Sequence, residues 1–437
     1  MADAVAGAVR QGKRWHSRVE SARAETSTHP GRVPTCPPPA LERPARSGCE
    51  DAGVDLETFR WLLTDDGQAL LSAATAAEGS ALQVQAALRE TATAERVTAA
   101  LGQVELRAHA AAKLGDDAAR MYFTRDGLEQ ATRRPVADHR AARLAVAGPS
   151  VIDLTCGIGG DLVACARAGL TTAGIDLDPL RVEIARANLA ALGLGGAVSV
   201  ADATTLDVSP FGAAYADPAR RSARGRTFRA DDWTPPWAFV QSLLCGRACV
   251  KVAPGIPQSL VPDGVEAEWV SDHGEVKEAA LWSPRLATVV RRATVIGRGG
   301  LATLTEEDDP GAEVGPVGEF LYEPDGAVIR AGLVTAVAAG VDGGLVDEHI
   351  AYVTSDAAFR TPFARSYEVL EQLPFKEKAL RAALRARHVG RLTIKKRGVH
   401  VVPDELRKRL SLSGDEEATV VLTRVAGKGT ALLVRPF

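Results

Sequence analysis

From Val54 to about Leu144, apolar residues recur three or four positions apart: Phe59 with Leu62 and Leu63, Val84 with Leu88, Val97 with Leu101 and Val104. That period lays them along one face of a helix. No proline interrupts residues 54–134, so an N-terminal helical domain is expected over 51–145. At Ser150 the period changes. Val151–Leu154, Thr171–Ile175, Ala197–Val200, Ala213–Ala216 and Arg247–Val252 are short apolar runs of strand type. Asp161–Ala168 and Pro179–Leu192 between them are helical. Strand, helix, strand at this spacing predicts a parallel sheet with helices on both faces. The expectation is an α/β domain over 146–300, with later strands at Ala267–Val270, Glu278–Trp282 and Ala293–Ile296.

Residues 1–50 lack this periodicity. They hold the run Pro34-Thr-Cys-Pro-Pro-Pro39 and eight scattered Arg and Lys, and cannot bury enough apolar surface to offset the entropy of ordering. A disordered tail is expected. Leu301–Gly318 is acidic and rich in Gly and Pro, which reads as a linker. A C-terminal α+β domain follows over 319–437, with helices expected at Tyr367–Leu373 and Lys376–Arg387. Its expected strands are Leu392–Ile394, Thr419–Arg424 and Ala431–Val434.

Composition narrows the class. Of 437 residues, 46% are hydrophobic and 24% charged, as in ordinary globular proteins. The 52 Lys and Arg nearly balance 55 Asp and Glu, for a net charge of −3. A nucleic-acid partner must therefore be read from local patches. Six cysteines in so long a chain are too few for a disulfide scaffold, and none sits at zinc spacing. Cys245 and Cys249, four apart, are expected on one helix face as packed thiols. With no signal peptide and no run of some 18 apolar residues, the expectation is a reduced cytoplasmic protein, with no membrane and no metal.

The chemistry concentrates in Val151-Ile-Asp-Leu-Thr-Cys-Gly-Ile-Gly-Gly-Asp161. A strand carrying an acid enters a loop of three glycines that opens a helix, the arrangement by which a backbone approaches a ligand without a Cβ in the way. A dinucleotide site would place a pyrophosphate there. The glycines at 157, 159 and 160 are spaced G-x-G-G, however, and Asp161 at the helix start repels phosphate. A ligand without phosphate, an adenosyl group bearing a sulfonium and an amino acid, fits better. Asp153 suits its cationic amino end, with Asp161 as a second acid there. Asp176, at the end of the second strand, suits a ribose diol. Asp202 with Ala203, after the third strand, suits the adenine edge.

On these residues the chain resembles class I S-adenosylmethionine-dependent methyltransferases, a Rossmann-like fold. The form D-x-x-C-G-x-G-G, followed by Gly174-Ile-Asp-Leu-Asp-Pro179, is most similar to RNA methyltransferases of the trimethylguanosine-synthase type. The resemblance covers roughly residues 120–255. It implies S-adenosyl-L-methionine as cofactor, held by Phe123, Thr124, Asp153, Cys156, Gly157, Gly159, Gly160, Asp176, Asp202 and Ala203. Phe123 and Thr124 enter through Tyr122-Phe-Thr124, similar to a stretch that folds over the cofactor in such enzymes; the same aromatics also read as helical-domain core. At the fourth strand end these enzymes carry an acid, two prolines and an aromatic. Here stand Asp217, Pro218, Ala219 and Arg220. By resemblance Asp217 and Pro218 orient the target, and the Arg220 guanidinium stacks on a base or holds a phosphate. The C-terminal unit resembles a THUMP-like domain.

Two basic stretches suggest a substrate. Arg220, Arg221, Arg224, Arg226 and Arg229 precede Trp233 and Trp237. Between Arg365 and Arg409 there are 13 Lys or Arg against five acids, centred on Lys395, Lys396 and Arg397. Basic edges of this kind suit a phosphate backbone; the resemblance to RNA methyltransferases implies that the partner is structured RNA (tRNA or rRNA), with Arg221, Arg224, Lys395, Lys396 and Arg397 its expected contacts. Two other readings stay open: an RNA-binding protein whose altered Asp-Pro-Ala-Arg motif no longer catalyses, and a small-molecule methyltransferase.

Overall fold

The structure, a computed structural model, describes residues 54–220 and 233–437. These divide into two compact units, 54–267 with 278–288, and 268–277 with 289–437.

The first unit opens with helices α1 (Leu56–Leu62), α2 (Asp65–Ala76), α3 (Ala81–Leu88), α4 (Ala94–Leu114), α5 (Arg125–Gln130) and α6 (Arg134–Ala147). Side-chain caps start several of them, as their sequences require: Asp55 accepts from the Thr58 amide, Thr64 from Gly67, and Ser80 forms a capping box with Gln83. Then follow β1 (Ser150–Asp153), α7 (Gly160–Arg167), β2 (Thr171–Asp176), α8 (Pro179–Ala191), β3 (Ala197–Val200), β4 (Ala213–Ala216), β5 (Ala219–Arg220), β6 (Trp233–Thr234), α9 (Trp237–Leu244) and β7 (Ala248–Val252). β8 (Glu266–Asp272) and β9 (Glu275–Trp282) each begin in one unit and end in the other.

β7, β4, β1, β2 and β3 lie side by side in that order, all parallel, and the C-terminal half of β9 adds an antiparallel neighbour to β7. Both sheet faces are covered. Ala137, Ala141 and Leu144 of α6 pack with Val151, Tyr215, Cys249 and Trp282. Leu162, Val182, Ala185 and Leu189 pack with Cys156 and Val198. The N-terminal helices join this body through a third cluster, in which Phe59, Leu62, Val97, Met121 and Phe123 meet Ile158 and Ile184. Cys245 ends α9 while Cys249 lies inside β7. The expected shared helix face is therefore absent, because the turn between them reverses the chain.

The second unit contains the antiparallel hairpin β10 (Arg291–Gly297) and β11 (Gly300–Thr305), then β12 (Phe320–Pro324), α10 (Gly326–Ala331), α11 (Val334–Gly340), β13 (Gly344–Asp347), β14 (Ile350–Ser355), β15 (Ala364–Pro374), α12 (Glu377–Ala386), β16 (Val389–Lys396), α13 (Pro403–Leu410), β17 (Glu416–Val425) and β18 (Lys428–Pro436). Seven strands form one sheet in the order β13-β14-β12-β15-β18-β17-β16, antiparallel except for β16 with β17. Leu380, Leu384, Leu406 and Leu410 of α12 and α13 cover one face.

Two expectations are corrected here. Tyr367–Leu373 is part of β15, not a helix, paired through Tyr367 with Leu321 on one side and through Val369 with Val434 on the other. A bulge between Val369 and Glu371 breaks the two-residue alternation, and this break made the segment resemble a helical stripe. Leu301–Gly318 is not structureless: it contains most of β11 and a short 3-10 turn at Glu306–Asp308, which Thr305 and Asp308 cap reciprocally.

Candidate active site

The carboxyl ends of β1, β2, β3 and β4 converge on one edge of the first unit, the edge where open α/β sheets bind ligands. Asp153 closes β1. It is 3% exposed, and its carboxylate accepts from the Thr155 amide at 3.0 Å. Burial, followed by repulsion from Asp161, pushes its carboxyl well above the ordinary range, and the Thr155 amide only partly opposes that.

The glycine loop follows. Gly157 and Gly159 have φ of +52° and +85°, a conformation costly for any residue with a Cβ. At Gly159 a Cβ would also lie 3.1 Å from that of Ala185, so the glycine lets α7 and α8 touch. At Gly157 and Gly160 an added Cβ would meet nothing within 4 Å, so their backbone faces open space. Asp176 fixes the loop from β2, its Oδ2 accepting from the Gly157 amide and its Oδ1 from the Asp178 amide, both at 3.0 Å. Asp202 starts a 3-10 turn with Ala203, its Oδ1 accepting from the Thr204 amide and hydroxyl. The Cys156 side chain is buried in the apolar cluster, and burial pushes its thiol far up. Only its backbone remains for a ligand, and it has no nucleophile's character.

Tyr122, Phe123 and Thr124 are buried beside this loop. Asn188 of α8, fully buried, accepts from the Tyr122 amide (2.7 Å) and donates to the carbonyls of Tyr122 (3.1 Å) and Ile158 (2.8 Å). Gln103 of α4 pairs in the same two-way manner with the Phe123 backbone. The Phe123 ring is wholly enclosed, and Thr124 caps α5 by accepting from the Gly127 amide.

Asp217 follows β4, and its amide donates to the Thr155 hydroxyl at 2.7 Å. Lys251 of β7 donates to Asp217 Oδ2 at 2.6 Å and, more weakly, to the Thr132 hydroxyl at 3.4 Å. Burial works most strongly against the Lys251 charge, but the Asp217, Glu278 and Asp161 carboxylates together outweigh it and leave the ammonium's pKa raised. Thr132 in turn donates to Asp161 at 2.9 Å. Behind them Arg140, 2% exposed, bridges Asp161 and Glu278 over the Tyr215 ring. Burial opposes the Arg140 charge, yet the two carboxylates hold the guanidinium well above its usual value. Asp161 thus faces inward, bound to Thr132 and Arg140. Pro218 is buried. Arg220 lies in β5, paired in register with Trp233 of β6. Arg221 and Arg224, like Arg226 and Arg229, lie outside the described residues.

Comparison with known proteins decides the family. Two curated relatives, uncharacterized S-adenosylmethionine-dependent methyltransferases from Mycobacterium tuberculosis strains CDC 1551 and H37Rv, are each 41% identical over 347 residues, covering 76% of this chain and 95% of theirs. The chain belongs to the S-adenosylmethionine-dependent methyltransferases. A solved structure from Porphyromonas gingivalis W83, described as a methyltransferase, superposes with a TM-score of 0.66 at 24% identity over 87% of this chain and 97% of that one, the same fold. A family model described as THUMP domain-like matches residues 364–436 of this methyltransferase, and a domain of unknown function (DUF8688) matches 55–110.

In the THUMP-like region the expected basic contacts separate. Lys395 is half-buried, paired with Glu323 at 2.6 Å and set over the Tyr367 ring. Arg397 lies over the Tyr352 ring. Lys396 is exposed at the end of β16, the outer strand of the sheet. Lys395 therefore serves the fold, while Lys396 faces solvent. Among the described residues no helix is long and apolar enough to cross a membrane, and no cluster of three metal-binding side chains occurs.

Proposed function

We propose that this methyltransferase transfers the methyl group of S-adenosylmethionine to a base in structured RNA. The observation that carries the reading is the set of four acids, Asp153, Asp176, Asp202 and Asp217, at four neighbouring strand ends around an open glycine loop.

The residues fit the cofactor. Gly157 and Gly160 leave room for a ligand against the backbone. The Asp176 oxygens, each with one backbone donor, keep lone pairs for the ribose hydroxyls. Asp202 has Oδ2 left for the adenine edge, with Ala203 beside it. Asp153 lies toward the amino end, with Cys156 and Gly159 shaping the loop and Phe123 and Thr124 backing it. Leu177 (62% exposed) adjoins Asp176, and Val200 (51%) is its register partner on β3. Exposed apolar side chains there are suited to the faces of a purine. When bound, S-adenosylmethionine supplies an electrophilic methyl on a sulfonium.

Asp217 and Pro218 then orient the target and Arg220 stacks on it or holds a phosphate, work of positioning rather than of a strong base. Arg221 and Arg224 in the one unit, and Lys396 and Arg397 in the other, are the further residues expected to contact RNA. The THUMP-like match and the basic excess of residues 365–409 support RNA as the substrate class. The test is transfer of radiolabelled methyl from S-adenosylmethionine to total bacterial RNA or to a metabolite extract. Labelled RNA is the expected result; label in the extract alone would replace RNA with a small molecule.

A further inference from the structure

We infer that Lys251 is a positioning residue for methyl transfer. It fixes the Asp217 carboxylate so that one oxygen, Oδ1, is presented to the target. The inference rests on the reading of Asp217 as the residue that meets the target.

The geometry clamps Asp217 at two points. Its amide is held by Thr155, a residue of the glycine loop, and its Oδ2 by the Lys251 ammonium at 2.6 Å. Lys251 is itself held by Thr132, whose hydroxyl donates to Asp161 on the first turn of α7. The hydrogen bonds therefore run from one side of the glycine loop, through Asp217 and Lys251, to the helix that the loop opens.

A carboxylate on a short stem otherwise rotates freely about χ2. With Oδ2 occupied by a cation, the rotation is arrested and the oxygens become inequivalent. Oδ1, with no partner among the described residues, can accept a hydrogen bond from an N–H of the target, which turns the nitrogen lone pair away from the acid. The class of target that uses such an acceptor is an amine or ring N–H, not a carbon centre.

Lys251 attracts Glu278 and Asp161 at longer range, but its hydrogen bonds go to Asp217 and Thr132. Its neighbour Arg140 already compensates Glu278 and Asp161, and the Lys251 side chain keeps 17% of its surface exposed, with 34% for Asp217. The pair sits at the rim of the site rather than in the core.

Two measurements test this on the full chain. With lysine 15N-labelled protein, the Lys251 ammonium is the NMR signal missing from Lys251→Arg. Asp217→Asn is expected to shift it and speed its proton exchange; an unchanged signal would show that the pair does not form and would overturn the inference. In methyl transfer to total bacterial RNA, Lys251→Met is expected to lower kcat at least tenfold with KM for S-adenosylmethionine within threefold, and Lys251→Arg to recover most of the rate. A wild-type kcat in Lys251→Met overturns the inference, as does loss of cofactor affinity in that variant. Wild-type enzyme that labels no RNA sinks the RNA reading instead, and the ammonium signal then decides on Lys251 by itself.

Discussion

Asp176 and Asp153 differ although both are strand-end acids. Asp176 is tied by two amides and keeps lone pairs outward, so Asp176→Ala is expected to weaken S-adenosylmethionine binding at least tenfold, about 1.4 kcal/mol, in a calorimetric titration. Asp153 is buried, and its carboxyl is pushed up by burial and by Asp161. The folded chain therefore holds a proton there more readily than the unfolded chain does. By linkage, stability falls as pH rises above the ordinary carboxylate range toward the raised folded value. Asp153→Asn removes that dependence. It should raise Tm at pH 7 while weakening cofactor affinity; a lower Tm would show that the ionised acid stabilises the fold.

At this scale the glycines and strand-end acids were legible in the sequence, because each follows a short apolar run at a fixed offset. Asn188, Gln103 and Arg140 were not. Their partners lie 66, 20 and 138 residues away, and nothing local distinguishes an Asn, Gln or Arg that will be buried. The only hint was a polar residue on an otherwise apolar helix face: Asn188 adjoins Leu189, and Arg140 sits between Ala137 and Leu144.

Among elements, the Asn188 side chain hydrogen-bonds the segment from Tyr122 to Thr124 to the glycine loop, beside their apolar packing through Ile158. Asn188→Leu keeps the branched skeleton of four side-chain heavy atoms and removes three hydrogen bonds, leaving backbone groups unpaired in a buried place. Hydrogen exchange at Tyr122, Phe123 and Gly127 should accelerate, and cofactor affinity should fall with it. Unchanged exchange would show that packing by Phe59 and Met121 alone holds the segment. α6 is bound to the sheet by a buried charge. Arg140→Met leaves Asp161 and Glu278 without their cation, at an expected cost of about 3–5 kcal/mol in chemical denaturation, whereas Arg140→Met with Glu278→Leu should recover part of it. The parallel sheet was readable from alternating strand and helix signals. β15 was not, since its bulge imitates helical spacing until pairing with β12 and β18 is seen.

For the whole molecule, the charge excess of residues 365–409 is partly consumed internally. Arg387, Arg391, Lys395, Arg407 and Arg409 are paired with acids. Lys378, Lys396 and Lys408 are exposed and have no carboxylate partner among the described residues. RNA affinity should drop steeply with salt, and replacing these three lysines by Glu should flatten the log–log slope by roughly 0.7–0.9 for each phosphate no longer neutralised. Cofactor affinity should not change; an unaltered slope would place the RNA on another face. The net charge of −3 concealed this patch, which only a local count reveals.

Trp233 and Trp237 are 5.0 Å apart edge to face, and Trp233 is the register partner of Arg220. Two indoles this close share their excited states. The methyltransferase therefore has a built-in chromophore pair joined by backbone hydrogen bonds to the strand carrying Arg220, and near-ultraviolet circular dichroism should report target engagement there without any label.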